Sequence, residues 1–139
     1  MRKKIITIIA LLALVAVLGI TMMACSETKN ISPTRAKENL EAANYFVKIY
    51  TEKDSNENDP EGRLTYYSAT SINKNDKSFV RISFFESSAT ASNYYLGNDF
   101  RGLLDSYKED AEEEGWELEY GKSGKCVYIG TKNAVSLIK

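Results

Sequence analysis

The chain has no histidine, two cysteines, two prolines and one tryptophan in its 139 residues. Each shortage removes chemistry. Without histidine there is no Ser–His–Asp or Cys–His catalytic set and no His-ligated zinc site. Two cysteines, Cys25 and Cys126, are too few for a four-cysteine zinc or iron–sulfur centre. No glycine-rich phosphate loop of either standard spacing occurs. A cofactor and a metal are therefore not expected, nor is enzymatic activity. A net charge of −1 lacks the basic excess that phosphate-backbone binding requires, so nucleic acid is not expected as a partner.

What the chain does have begins at its start. Arg2, Lys3 and Lys4 precede an apolar stretch from Ile5 to Ala24, broken only by Thr7, Gly19 and Thr21. A positive start, an apolar centre and a small residue at the end make the layout of a secretory signal. At about 20 residues the stretch is also long enough for a single N-terminal transmembrane anchor. The segment Met22-Met23-Ala24-Cys25 resembles the lipobox of bacterial lipoproteins. Ala24 holds the small residue before the cut, while Met22 and Met23 replace the usual leucine and small residue. The resemblance implies a diacylglycerol on the Cys25 sulfur and Cys25 as the mature N-terminus, because two acyl chains are what stable anchoring takes. It implies an extracytoplasmic domain on the cell membrane. The expected organisation is a signal peptide over 1–24, a tether over 25–34 and one α+β domain over 35–139. Loss of the three leading cations takes the net charge from −1 to −4. Lipidation would leave Cys126 without an intrachain partner, and a Cys25–Cys126 disulfide would conflict with a mobile tether.

Within the domain, Ser32-Pro33 reads as a helix start. Apolar residues at Ala36, Leu40, Ala43, Val47 and Tyr50 predict a helix running to about Lys53. Arg63–Ile72 and Ser78–Phe85 read as strands joined by a short turn, hence a hairpin. A second helix is expected from Ser87 or Ser88 to Gly115, with Gly97 a point of weakness. Trp116–Tyr120 and Cys126–Gly130 form a second hairpin, and Thr131–Lys139 a short closing helix. These elements predict a mainly antiparallel four-stranded sheet with both long helices on one face. The Lys77–Ala91 and Lys125–Val135 segments look alike, as in an internal pseudo-repeat.

Three functional classes fit these residues. The first is an interaction module for another envelope protein. If the helices cover Val80, Ile82, Phe84, Val127 and Ile129, the opposite face shows Phe79, Arg81, Phe85, Cys126 and Tyr128, joined by Tyr67. Aromatic and arginine side chains are the usual anchors of a contact surface, so the expected partner-binding set is Tyr67, Phe79, Arg81, Phe85 and Tyr128. The second class is a small-ligand envelope receptor, which requires a concave apolar pocket. The third is a carboxylate hydrolase using acids of the run Glu109–Glu119, such as Glu117 and Glu119. The loop Asp54–Thr65 approaches a calcium loop, but Asp59 and Thr65 occupy the places that need glycine and glutamate.

Overall fold

The computed structural model describes residues 30–54 and 56–139. The expected signal segment, Cys25 and the tether through residue 29 lie outside the described residues. The chain is α+β. Ser32 caps α1 (Pro33–Ala42), its Oγ accepting a hydrogen bond from the Arg35 N–H at 3.4 Å. Packing starts before the helix, for Ile31 is already buried. Asn44 then takes a left-handed φ of 63°, a conformation asparagine tolerates better than most residues, and the helix cannot continue.

The next segment corrects the expected long helix. Tyr45–Thr51 is strand β1. Its residues are aromatic or β-branched except for Lys48, and such side chains fit a pleated surface better than a helix. Tyr45 and Val47 point into the core while Phe46 and Lys48 are exposed, a period of two. The chain continues through β2 (Arg63–Ser71), β3 (Phe79–Phe85), α2 (Ser88–Leu96), α3 (Asn98–Glu114), β4 (Leu118–Ser123), β5 (Cys126–Thr131) and α4 (Lys132–Ser136). The sheet therefore has five strands, not four, in the order β1-β2-β3-β5-β4. All neighbours are antiparallel. The β2–β3 hairpin, the Ser87 cap and the break at Gly97 lie where the sequence placed them. Gly115, at φ 74°, stops α3.

A second correction concerns the layers. The helices do not share one face. Ala36 and Leu40 of α1, with Ala134 and Val135 of α4, pack on Tyr67, Val80, Ile82, Phe84, Cys126 and Tyr128. Ala91 of α2 and Phe100 of α3 pack on Phe85, Val127 and Ile129 across the sheet. The sheet has enough apolar residues on both faces to need cover on both. The two strand-to-helix junctions that look alike in sequence thus send their helices to opposite faces. Among the described residues, no helix is long and apolar enough to cross a membrane.

Candidate functional site

Register decides which side chains meet. Val80, Ile82 and Phe84 of β3 lie opposite Gly130, Tyr128 and Cys126 of β5, while Arg81 and Ser83 lie opposite Ile129 and Val127. Directly opposed residues share a face, so Cys126 and Tyr128 belong with Val80, Ile82 and Phe84. The expected grouping placed them on the other side. One residue of phase in β5 reverses its whole face. The expected binding residues therefore divide. Tyr67 and Tyr128 are buried under α1 and α4, and Phe85 is buried under α2. Only Phe79 and Arg81 sit side by side and half-exposed on one face.

Phe79 and Arg81 border a strip that α2 and α3 leave open. Opposed pairs run Phe46–Thr70, Lys48–Ser68 and Tyr50–Tyr66 between β1 and β2, then Thr70–Phe79, Ser68–Arg81 and Tyr66–Ser83 between β2 and β3. Phe46 is 64% exposed, and Lys48 and Thr70 are exposed beside it. The rings of Tyr50 and Tyr66 lie 5.7 Å apart. Lys48 stands over Tyr50 at 4.9 Å and Arg63 over Tyr66 at 4.7 Å. Phe79 packs against Tyr107 of α3 at 5.0 Å and Trp116 at 5.4 Å, which closes the inner end. Cations and aromatic rings alternate along the strip, an arrangement that holds each cation in place by its attraction to a ring face.

The charges on this strip are unevenly compensated. Arg63 pairs with Asp59 at 2.6 Å. Arg81 donates to the Ser68 Oγ at 2.6 Å and lies 5.4 Å over the Phe79 ring. Among the described residues, neither Arg81 nor Lys48 meets a carboxylate within ion-pair distance. A guanidinium carries five N–H donors and stays charged, so Arg81 keeps donors for an incoming acceptor. Burial pushes the Tyr66 phenol above its ordinary value, with Arg81 and Arg63 pulling the other way. It remains a neutral hydroxyl at neutral pH. Phe46, Lys48 and Tyr50 escape the sequence reading because their segment also satisfies a helical spacing, and Tyr66 escapes it because its cross-strand neighbour Tyr50 does. The alternation of Tyr45, Val47 and Ile49 within a β-favouring run was the signal.

A second concavity, about 560 Å³, opens beside Trp116 and is lined also by Asp76, Ser78, Thr131 and Asn133. Its polar groups are mutually satisfied. Ser78 donates its hydroxyl to Asp76, and Asn133 donates to the Ser78 Oγ at 2.6 Å. The bond from Ser78 holds Asp76 below the usual carboxylate range. Such a carboxylate is a weak base, so these bonds serve to fasten the β2–β3 turn to α4. Glu117 and Glu119 are each tied to a lysine, Lys132 and Lys139 respectively. In the loop after β1, Asp54 accepts from the Thr51 N–H, Asn56 from the Asn58 N–H and Asp59 from the Asn56 N–H. These oxygens stabilise their own turns.

Cys126 is 1% exposed, and burial pushes its thiol up to about 12 from 9.0. Only the thiolate is reactive, so the folded protein is expected to give no adduct at Cys126 with a maleimide at neutral pH, and a full adduct in denaturant; mass mapping checks this. The same shift links stability to pH. Between 9.0 and about 12 the unfolded chain has released this proton and the folded chain retains it, so stability falls as pH rises through that window. In Cys126→Ala the decline of the urea midpoint over that range should be shallower.

No family model matches the chain, and no curated protein or solved structure matches it.

Proposed function

We propose that this chain is a lipid-anchored cell-envelope lipoprotein whose domain binds another envelope protein through the open strip of β1–β3. The observation that carries the binding reading is Arg81, a half-buried guanidinium over the Phe79 ring with no carboxylate within ion-pair distance among the described residues. Leaving a charge partly desolvated costs free energy unless a partner group compensates it. An acidic or carbonyl-rich segment laid across Phe79, Ser68 and Tyr66 supplies that compensation, and Phe46 adds apolar contact at the outer rim. The anchor reading rests on the lipobox resemblance at Met22–Cys25.

The two parts are tested separately. Labelling with a fatty acid should mark the wild type and not Cys25→Ser. A photo-reactive amino acid at Thr70, exposed on the strip, should trap one discrete envelope protein in cells, whereas the same probe at Glu112 on α3 should trap none. Arg81→Gln, which keeps a donor to Ser68, should cut that adduct by about tenfold, the scale of a lost charge-assisted hydrogen bond. An undiminished adduct would rule Arg81 out of the contact, and absence of any adduct from Thr70 would rule the strip out as the binding surface.

The concavity at Trp116 favours a second reading, a small-ligand receptor. Trp116 is the only tryptophan of the chain, so its fluorescence reports any molecule entering there. A saturable shift in emission with an envelope extract would support this reading, and a flat response would count against it.

A further inference from the structure

The outer edge of β1 has an unusual boundary. Asn44 O accepts from the Ile72 N–H, and the register pairs Phe46 with Thr70 and Lys48 with Ser68. In an antiparallel ladder the bonded positions alternate. Asn44, Phe46, Lys48 and Tyr50 therefore bond inward to β2, while Tyr45, Val47, Ile49 and Thr51 point their N–H and C=O groups outward. The Thr51 N–H is taken by Asp54 Oδ2 at 2.9 Å. Before Tyr45 the chain turns into α1. Three residues, Tyr45, Val47 and Ile49, are left with both main-chain groups unpaired among the described residues, symmetric about Val47.

That edge is apolar. Phe46 is 64% exposed and Ile49 37%. Edge strands are commonly blunted by charge, and β4 at the other margin follows that habit with the Glu117–Lys132 and Glu119–Lys139 pairs. On β1 the only charge is Lys48.

We propose that β1 is a self-association edge that takes the β1 strand of a second copy, antiparallel and centred on Val47. In this register Val47 exchanges both its bonds with Val47 of the other copy, and Tyr45 does so with Ile49. Every free group is satisfied, and the capped Thr51 is left outside. Phe46 faces Lys48 of the other copy in a non-bonded pair, where side chains approach most closely. The lysine then lies against a phenyl ring and not against its own counterpart, so cation–π attraction replaces like-charge repulsion. Centring on Ile49 would demand the occupied Thr51 N–H, and centring on Tyr45 would demand backbone of the α1 turn. The two-fold axis stands perpendicular to the sheet, so both α1–α4 layers lie on the same side. Both chains then enter from that side, which suits two anchors in one membrane. The proposal rests on the edge alone and stands or falls apart from the Arg81 reading.

The test uses the full chain in its own membranes. Phe46→Cys and Lys48→Cys chains, co-expressed and oxidised, should form a disulfide-linked dimer at least about tenfold above either variant alone, because only the mixed pair comes within disulfide reach. Adding Ile49→Pro, which deletes an outward donor that β2 does not use, should return the yield to the single-variant level. Equal yields from single and mixed variants would overturn this register. So would absence of the dimer while both thiols accept maleimide and both variants melt like the wild type. Independently, the melting temperature of the detergent-solubilised wild type should fall on hundredfold dilution, as it does for an associating fold, and a concentration-independent value would overturn the dimer.

Discussion

Phe85→Ala is expected to remove about 3–5 kcal/mol of stability, the range for deleting a buried phenyl ring. For a domain of this size that lowers the melting temperature by more than about 12 °C. Phe85 is 2% exposed and forms the centre of the smaller core, with Ala91, Phe100, Val127 and Ile129 around it. Its ring lies 5.2 Å from that of Tyr94. Because α2 and α3 hold to the sheet through this cluster, the loss should be accompanied by early exposure of Phe100 and Tyr94. Thermal unfolding by circular dichroism gives the magnitude, and hydrogen exchange should show α2 and α3 losing protection first. Arg81→Gln should shift the same melt by less than about 1 kcal/mol, because glutamine keeps a donor to Ser68. An equal destabilisation by the two variants would contradict the assignment of Phe85 to packing and Arg81 to the binding strip.

Gly130→Ala should be comparably damaging for a different reason. Gly130 lies opposite Val80 in the centre of the sheet. A methyl group there would stand 2.4 Å from the Phe79 carbonyl oxygen and 2.7 Å from the Val80 Cα. Both are backbone atoms, so no rotamer change relieves the clash, and β3 and β5 must separate. Overpacking of this kind costs about 1–3 kcal/mol or more. Gly102→Ala is the internal control. Nothing lies within 4 Å of a methyl group at Gly102, which sits inside α3, so the substitution should stabilise by about 0.5–1 kcal/mol. Urea denaturation of the two variants should place their midpoints on opposite sides of the wild type. A tolerated Gly130→Ala would mean that the β3–β5 register differs from the one described.

The sequence carried a good part of this fold in local chemistry. Ser32 and Ser87 announced helix starts through their capping oxygens, and both are used. Gly97 and Gly115 marked the break and the end of the second helical region. Arg63–Ser71, Phe79–Phe85 and Cys126–Thr131 were legible as strands from their aromatic and β-branched content. Tyr45–Thr51 was not, because its apolar residues also satisfy a helical spacing when joined to Ala36, Leu40 and Ala43. The left-handed turn at Asn44 separates the two, and nothing in the apolar pattern marks it. The candidate site suffered in consequence. Phe46, Lys48 and Tyr50 all belong to the misassigned segment, and the open strip exists only once β1 lies beside β2.

By itself, then, the sequence carried the absence of histidine, most of the segments that pleat or coil, and the lipobox-like setting of Cys25. Those properties depend on residue identity and on neighbours a few positions away. Tertiary structure alone decided which faces meet. Alternation along a strand sorts its side chains into two sets, but the phase between strands comes from hydrogen-bond register. That register put Tyr128 and Cys126 into the core, set Arg81 over the Phe79 ring beside Ser68, and placed Gly130 where no side chain fits.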